Sequence, residues 1–334
     1  MKTVVLGSGG WGTALSQILC DNGHETYLWS HSPAKAAEMA RTRENPLLQG
    51  VHLPESLHIT GDLGCLRCAD LVVSAPPSFA VRETAKKMAP YLTEKTVVVS
   101  VSKGIERDTN LRLSQVIQEE TGNICKVAVL SGPSHAEEVG IRLPTGCVAA
   151  CLDVDAARFV QDAFMNDYFR VYTSGDIVGV ELAAALKNVI ALSCGVCDGL
   201  GYQDNTKALL MTRAMAEITR LGEKLGGSRQ TFGGLAGMGD LIVTCTSMHS
   251  RNRRAGILIG KGEDVQTAMK EVGAVVEGYY AAKSAYELGR KMHIDMPITE
   301  AAYKVLYEGA DARQAVQQLL TRQRKSESEN PGWL

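Results

Sequence analysis

The chain has 334 residues, of which 45% are hydrophobic and 22% are charged, and its formal net charge is −2. This composition is typical of a globular protein, and the length predicts roughly two domains. A net charge so close to zero argues against a general nucleic-acid binder, because such domains are usually basic. No apolar run approaches the ~18 residues that a membrane span needs. The first apolar stretch, residues 3–6, runs at once into glycines, so no signal peptide is expected.

The nine cysteines are odd in number and are scattered between Cys20 and Cys245. Cys65 and Cys68 form a C-x-x-C pair, but no second pair completes a zinc-ribbon pattern. We therefore expect reduced thiols in a cytoplasmic protein. The histidines also lack metal-ligand spacing, so we expect no metal site; the three considered are His135, His249 and His293.

The first half of the chain alternates between strand and helix patterns. Short runs that are apolar on both faces predict six strands, at residues 2–6, 25–29, 70–75, 96–101, 127–130 and 146–151. Helical spacing lies between several of them, as at residues 79–91 and 111–119. Because strands buried on both faces belong to a sheet covered by helices, the pattern predicts a doubly wound parallel sheet of the Rossmann type.

After residue 176 the pattern becomes helical almost throughout. The predicted helices are residues 178–196, 206–225, 240–246, 253–261, 265–270, 277–291, 299–308 and 312–320. We therefore expect a dinucleotide-binding domain over residues 1–176 and an all-helical substrate and catalytic domain over residues 177–321. The charged and then Pro-Gly-rich residues 322–334 predict a loose C-terminal tail.

A glycine-rich motif follows the first predicted strand and opens a helix. Gly7, Gly9 and Gly12 fit the pattern G-x-G-x-x-G in the strand–turn–helix context that a dinucleotide site requires. The first glycine permits the tight turn, the second lets a pyrophosphate approach the backbone, and the third lets the helix pack closely on the strand. Free N–H groups at the start of the helix then suit phosphate oxygens.

The end of the second predicted strand bears on the choice of cofactor. NAD-specific enzymes usually carry an acidic residue here to bind the ribose 2′-hydroxyl, and none occurs between Thr26 and Ala37. Ser30, His31 and Lys35 would instead tolerate the 2′-phosphate of NADP. The alternative, NAD held loosely through hydroxyl groups, stays open.

Two lysines occur in unusual surroundings. Lys187 and Asn188 are the only polar residues of the helical pattern between Leu182 and Leu192. A lysine among apolar neighbours loses hydration, and its pKa falls toward the range of a general acid or base. Asn188 could hold a substrate oxygen. The alternative is a lysine whose head reaches solvent from a core helix.

Three loops could meet a substrate. Lys103 and the residues 131–136 both follow predicted core strands, and ligands bind at that edge of a doubly wound sheet. The segment 250–254 carries three arginines, whose forked donors match phosphate oxygens. Ordinary turns and a solvated basic helix start are the alternatives. Asp240, which ends a glycine-rich stretch, is predicted to be a helix N-cap.

These motifs, taken in order, carry a resemblance to a known family. The segments are residues 7–13, 102–104, 131–134, 186–191, 237–241, 250–254, 275–278 and 296–299. Together they resemble the bacterial-type NAD(P)-dependent glycerol-3-phosphate dehydrogenases over nearly the whole chain. The resemblance implies reversible hydride transfer between sn-glycerol 3-phosphate and dihydroxyacetone phosphate, with either NAD or NADP. It further implies a role in phospholipid synthesis, a cytoplasmic location and a homodimer. From the composition and the apolar runs we expect no nucleic-acid partner and no membrane insertion.

The same resemblance implies roles for individual residues. Lys187 would be the proton donor and acceptor. Substrate contacts would fall at Lys103, Gly132, Ser134, Asp240, Ser250, Arg251 and Asn252. Cofactor contacts would fall at Gly10, Trp11, His31, Lys103, Ala136, Arg251, Val275 and Glu277. One departure is Gly10, where the family often has serine, so one hydroxyl contact to phosphate is missing.

Two other functions remain open from the sequence. A dehydrogenase of the ketopantoate or β-hydroxy-acid type also joins a Rossmann domain to a helical domain and uses a lysine, but it would not need Arg251 to face a phosphate. A non-enzymatic dinucleotide sensor would keep the three glycines, but it would have no reason to hold Lys187 among alanines and leucines.

Overall fold

The computed structural model describes residues 1–324, 326 and 327. Its N-terminal part is built on one eight-stranded sheet in the order β3-β2-β1-β4-β5-β6-β7-β8. The strands are β1 Lys2–Leu6, β2 Glu25–Trp29, β3 His58–Thr60, β4 Leu71–Ser74, β5 Val97–Ser100, β6 Lys126–Ser131, β7 Thr145–Ala150 and β8 Phe169–Ser174. Strand order reverses between β1 and β4, which is where the sheet opens a crevice for a ligand.

All six predicted strands are present, and two further strands were missed. β3 has three residues, none of them buried, so it gave no apolar signal. β8 alternates buried and exposed residues over its first four positions, unlike the core strands. The expectation of a parallel sheet needs one correction, because β7 runs antiparallel to β6 while β8 runs parallel to β7. Direction depends on the path of the connection, which local apolarity does not encode.

Helices cover both faces of this sheet. They are α1 Gly10–Asp21, α2 Pro33–Thr42, α3 Val81–Met88, α4 Leu113–Glu120, α5 Ala136–Gly140 and α6 Val154–Phe164. Alternate residues of the strands enter two separate cores: Val5 and Val73 lie in the core that contains α1 and α6, while Val4 and Val72 lie in the core that contains α3 and α4. Each fully buried valine contributes about 1.5–3 kcal/mol, which accounts for strands that are apolar on both faces.

The second part of the chain is helical. It comprises α7 Ile177–Gly199, α8 Asp204–Lys224, α9 Arg229–Gly233, α10 Asp240–Thr246, α11 Arg251–Gly260, α12 Val265–Val272, α13 Glu277–Lys291, α14 Pro297–Tyr307 and α15 Ala312–Leu320. A π-helical turn, Leu235–Gly239, leads directly into α10. α7 lies at the centre, and its backbone nearly touches α11: a Cβ built on Gly195 would lie 2.1 Å from the carbonyl oxygen of Arg253.

α7 corrects one expectation about membranes. Among the described residues, Ile177–Gly199 is the one helix long and apolar enough to cross a bilayer, whereas no such run was expected from the sequence. In the fold, 89% of its most apolar window is buried inside the protein. α7 is therefore the core helix of the second part of the chain. The predicted loose tail, residues 322–334, lies mostly outside the described residues.

Candidate active site

Two of the predicted substrate loops meet at the edge of the sheet. β5 and β6 pair in parallel and end side by side, Lys103 follows β5 by three residues, and Gly132 comes directly after β6. The ammonium of Lys103 donates to the carbonyl oxygen of Gly132 at 3.0 Å. Ser134 turns back on the same carbonyl, to which its hydroxyl donates at 2.9 Å. The loops after two core strands therefore form one wall of a site.

A buried carboxylate joins this wall to the helical part. Asp240 Oδ2 lies 2.8 Å from Lys103 Nζ, and its Oδ1 lies 3.1 Å from Lys187 Nζ. Asp240 and Lys187 are 1% and 4% exposed, so water does little to screen this contact. The prediction that Asp240 caps a helix is wrong. Because the π-helical turn runs into α10, Asp240 already has helical φ and ψ angles of −70° and −30°, Gly239 is the N-cap, and the carboxylate serves the lysines.

The ammonium of Lys187 also contacts a hydroxyl that the sequence analysis missed. Lys187 Nζ donates to Thr244 Oγ1 at 2.6 Å, and the Thr244 hydroxyl donates to the backbone carbonyl of Asp240 at 2.6 Å. The carbonyl takes the hydroxyl hydrogen, so the oxygen is left as an acceptor for Lys187. Thr244 stands four residues after Asp240 on one helix, and this i, i+4 spacing was the available signal.

Burial brings the titration of Lys187 closer to neutral pH. It lowers the pKa of Lys187 to about 8, mainly because the charged form is poorly solvated there. Asp240 opposes this shift, while the positive charge of Lys103 adds to it. A lysine with a pKa near 8 is mostly protonated at neutral pH, yet it releases its proton far more readily than an ordinary lysine.

Lys103 and Lys187 each have one N–H donor that no described residue accepts. An ammonium has three N–H donors, and Lys103 and Lys187 each use two on protein acceptors. One donor of each lysine remains for a ligand. The formal charges of Lys103, Lys187 and Asp240 sum to +1, which favours an anionic ligand.

Two amides extend the site along α7, α11 and α13. The Asn252 amide donates to Asn188 Oδ1 at 2.9 Å, and its own oxygen accepts from the Gly278 N–H at 2.8 Å. Both asparagines are buried. A Cβ on Gly278 would lie 2.3 Å from the Asn188 carbonyl, so only glycine permits this approach. The start of α13 is thus held against Asn188 and Asn252.

The arginine cluster divides into different roles. Arg253 forms an ion pair with Asp198: its Nε and Nη2 each lie 2.8 Å from Asp198 Oδ2. Ser250 is the N-cap of α11, and its hydroxyl oxygen accepts from the Arg253 N–H at 3.2 Å, so its hydroxyl hydrogen is available to a ligand. Arg251 is exposed and has no hydrogen bond or ion pair to any described residue. No contact joins it to the lysine cluster in this structure.

The glycine-rich loop shows a distinct geometry at each glycine. Gly7 has a φ of +127°, and a Cβ there would lie 2.6 Å from the Ala75 carbonyl oxygen. A Cβ on Gly12 would lie 2.1 Å from the Gly7 carbonyl, which is the close approach of α1 to β1. Apart from its chain neighbours, no described residue has an atom within 4 Å of a Cβ built on Gly9, so this side of the loop is open to a ligand.

An unpartnered donor beside this loop supports dinucleotide binding. Trp11 Nε1 is buried and has no hydrogen-bond partner among the described residues. It lies in the first turn of α1, whose free backbone N–H groups also suit phosphate oxygens. Such an orphaned donor needs an acceptor, and a pyrophosphate would supply one. The residues present therefore fit NAD or NADP.

The departure at Gly10 has a local reason. A Cβ on Gly10 would lie 2.5 Å from the Leu47 carbonyl oxygen, so a serine would require the 45–47 turn to move. Asn45 holds this turn in place, since its amide donates to Ser8 O at 3.1 Å and to Thr13 Oγ1 at 2.7 Å. On the other side of Gly10, the Ala136 Cβ lies 3.6 Å from the same built position, which places the start of α5 next to the loop.

The end of β2 carries the residues that could face a 2′-phosphate. The Ser8 hydroxyl donates to Ser30 Oγ at 2.9 Å, and Lys35 Nζ donates to the Ser8 carbonyl at 3.0 Å. Partial burial lowers the pKa of Lys35. His31 is exposed and has no hydrogen bond or ion pair to any described residue. The sequence analysis singled out Ser30, His31 and Lys35, and all three lie at this edge.

Glu277 joins the two parts of the chain through the loop that follows β4. Its carboxylate accepts from the Ser78 N–H at 3.2 Å and from the Ser78 hydroxyl at 2.6 Å. Ser78 lies in the loop between β4 and α3, whereas Glu277 begins α13 and follows the half-buried Val275 closely. Ser78 was not predicted from the sequence, since a lone serine in a turn carries no signal.

Comparison with known proteins agrees with this geometry. The family model described as the N-terminus of NAD-dependent glycerol-3-phosphate dehydrogenase matches residues 2–157, and the corresponding C-terminal model matches residues 176–317. The chain belongs to the NAD-dependent glycerol-3-phosphate dehydrogenase family. This membership confirms the resemblance drawn from the motifs and the expected enzyme class, an NAD(P)-dependent oxidoreductase.

Individual relatives of the glycerol-3-phosphate dehydrogenase family support the same assignment. The chain is 52% identical to glycerol-3-phosphate dehydrogenase [NAD(P)+] of Desulfitobacterium hafniense, over 98% of this chain and 93% of the relative. It is 49% identical to the enzyme of the same name from Bacillus velezensis, over 98% and 96%. The crystal structure of glycerol-3-phosphate dehydrogenase from Coxiella burnetii has a TM-score of 0.91 at 37% identity, covering 96% of this chain and 98% of that one.

A ketopantoate reductase tests one alternative from the sequence. The PanE/ApbA-family ketopantoate reductase of Ralstonia eutropha has a TM-score of 0.62 at 16% identity, covering 96% of this chain and all of that one. At this identity the likeness concerns the fold alone. The alternative of a ketopantoate-type enzyme is therefore not supported over glycerol-3-phosphate dehydrogenase.

Proposed function

We propose that this chain interconverts dihydroxyacetone phosphate and sn-glycerol 3-phosphate with NAD(P)H or NAD(P)⁺, and that it supplies glycerol 3-phosphate for phospholipid synthesis. The observation that carries the proposal is the buried Lys187, which has a lowered pKa and shares the Asp240 carboxylate with Lys103. A ketone reductase needs such a proton donor beside a positive charge. The substrate is inferred from the relatives described above, which are named glycerol-3-phosphate dehydrogenases.

We assign the proton transfer to Lys187. In the direction of reduction, its ammonium donates the proton not engaged by Asp240 and Thr244 to the developing alkoxide. The free donor of Lys103 stabilises the same oxygen or orients the substrate. Asn188 holds a second substrate oxygen. In the direction of oxidation, neutral Lys187 accepts the hydroxyl proton.

The substrate phosphate needs its own anchor. We assign it to Arg251, Ser250 and Asn252 at the start of α11, with Gly132 and Ser134 lining the opposite wall. Arg251 has no competing partner among the described residues, and its forked donors suit a dianionic phosphate. Binding energy from the phosphate then helps to hold the reacting carbon in place.

The cofactor supplies or accepts the hydride. We assign its pyrophosphate to the loop Gly7, Gly9, Gly10, Trp11 and Gly12, where the geometry leaves room and an unused donor. His31 would face the 2′ position. The remaining contacts on the nicotinamide side of the crevice would come from Lys103, Ala136, Arg251, Val275 and Glu277.

The organisation around this chemistry is also proposed. Residues 1–176 would bind the cofactor and residues 177–321 would bind substrate and carry Lys187. We further propose that the enzyme works in the cytoplasm as a homodimer. These assignments rest on the family resemblance, and the dimer is checked by light scattering of the purified protein.

A spectroscopic assay tests the activity itself. NADH and NADPH are each mixed with enzyme, and loss of absorbance at ~340 nm is followed on adding dihydroxyacetone phosphate, with ketopantoate as the parallel substrate. We expect the enzyme to oxidise the cofactor with dihydroxyacetone phosphate and not with ketopantoate. Turnover of ketopantoate instead would favour the second enzyme class, and no turnover with either would favour a dinucleotide sensor.

A further inference from the structure

A buried carboxylate outside the site ties the two parts of the chain together. Glu181 lies in the second turn of α7 and is 7% exposed. It accepts from Arg112 Nη1 at 2.5 Å, from the Ser114 N–H at 2.8 Å and from the Ser114 hydroxyl at 2.5 Å. Both partners belong to the end of the β5–α4 loop and the start of α4. We call the three residues the Glu181 clasp.

On one side, the clasp leads to Lys103. Arg112 pairs with Ile105 in an isolated antiparallel bridge, so the two ends of the 105–112 loop are joined. Ile105 stands two residues after Lys103, and its side chain is buried in the core formed by the helical part. A displacement of Arg112 is therefore passed to the backbone next to Lys103.

On the other side, the clasp leads to Lys187. Glu181 and Lys187 are six residues apart on one continuous helix, a separation of about 9 Å along its axis. Buried helices transmit displacements because close-packed interiors do not deform easily. The clasp therefore acts on both lysines, and Asp240 contacts both of them within 2.8–3.1 Å.

We propose that Glu181 is a positioning residue for the reaction: through Arg112 and Ser114 it sets the spacing between Lys103 and Lys187. The inference rests on the proposed roles of these two lysines. Among the described residues, no hydrogen bond or ion pair joins Glu181 to either lysine.

The sequence offers a closely matched control. Glu217 on α8 is also buried, at 3% exposure, and like Glu181 it accepts a backbone N–H and a hydroxyl at the start of another helix, with a second backbone N–H in place of the arginine. Its donors are Ile298 and Thr299 of α14, so this carboxylate joins two helices within the helical part and lies outside the β5–α4 loop. A purely structural role for Glu181 predicts the same consequences for both glutamates.

The test compares Glu181→Gln with Glu217→Gln in the full-length enzyme. Glu181→Gln is expected to lower kcat by about tenfold or more, because small misplacements of reacting groups cost up to about 10²-fold. It should also shift the alkaline decrease of kcat for reduction to higher pH. The reason is that the pKa of Lys187 rises when the positive charge of Lys103 moves away from it. Glu217→Gln should change thermal stability only. NADPH binding, titrated by fluorescence, should stay unchanged in both.

A second variant guards against loss of folding. Arg112→Lys keeps the positive charge but loses the planar fork, at a side chain that is 18% exposed, and it should show a smaller loss of kcat in the same direction. Normal kcat and an unshifted alkaline decrease in Glu181→Gln, or in Arg112→Lys where Glu181→Gln does not fold, would overturn the inference. Equal effects of Glu181→Gln and Glu217→Gln would also overturn it. Activity retained in Lys187→Ala would instead refute the role assigned to Lys187, and no turnover of dihydroxyacetone phosphate by the wild-type enzyme would refute the proposed function.

Discussion

Lys187 and Asp240 face each other where α7 packs on α10, with Nζ and Oδ1 3.1 Å apart and both side chains buried. The same carboxylate also binds Lys103 at 2.8 Å. One negative charge thus serves two positive ones, which leaves a net positive cluster with two unused N–H donors. This relationship underlies the first two predictions below.

Removal of the Lys187 ammonium should abolish most of the turnover. We expect Lys187→Ala to lower kcat by about 10²-fold or more, the usual cost of losing a general acid. NAD(P)H binding should persist, because Lys187 lies far from the glycine-rich loop in the sequence and on a different element. Lys126→Ala, at an exposed ion pair with Asp153, is the control. Turnover of Lys187→Ala close to that of the control would mean that Lys187 is structural.

The pH dependence should report the pKa of Lys187. Reduction needs the ammonium, so kcat/KM should fall as pH rises through about 8, while oxidation needs the neutral amine and should rise over the same range. Neighbouring groups titrate elsewhere: burial lowers the pKa of His135 and raises that of Cys147 to about 12.

A substitution of Lys103 tests whether the change in rate near pH 8 reports the titration of Lys187 or that of another group. Lys103→Gln removes a positive charge that lowers the pKa of Lys187, so the change in rate should move to higher pH. Rate profiles between pH 6 and 10 for both reaction directions decide the matter. A change in rate that stays at the same pH would assign the titration to another group.

Cofactor preference should depend on His31. No acidic residue follows β2, so we expect the wild-type enzyme to use both NADH and NADPH. His31→Asp should shift preference toward NADH, because its carboxylate repels the 2′-phosphate. Dissociation constants of both cofactors are measured for this variant and for His52→Asp, which introduces the same charge at a second exposed histidine. An unchanged ratio of the two constants would remove His31 from the 2′ site.

The phosphate assignment depends on Arg251. An arginine–phosphate contact contributes roughly 1.5–3 kcal/mol, so Arg251→Ala should lower kcat/KM for dihydroxyacetone phosphate by at least about tenfold. The loss should be much smaller with unphosphorylated dihydroxyacetone, which isolates the phosphate contribution. Arg254→Ala is the matched control, because Arg254 is exposed three residues further along α11. Equal losses on both substrates would place the phosphate anchor elsewhere, with Lys103 as the next candidate.

Several functional contacts could not be predicted from the sequence, and they share a physical cause. Ser78 bonds Glu277, Thr244 bonds Lys187 and Glu181 bonds Ser114, across 199, 57 and 67 residues of the chain. The sequence around a hydroxyl or carboxylate does not tell whether the side chain faces water or a buried partner. Asp240 shows the converse, because its local surroundings predicted a helix cap and its distant partners gave it a different role.

What the sequence determined by itself is local in origin. Apolar runs determined the core strands, glycine spacing determined the tight turn between β1 and α1, and the apolar surroundings of Lys187 indicated a lowered pKa, since each follows from neighbours along the chain. Only the tertiary structure decided that β7 reverses direction and that Asp240 bridges Lys103 and Lys187. The reason is that chain direction and charge pairing depend on groups brought together from distant segments, whose proximity exists only after the sheet and the helices have packed.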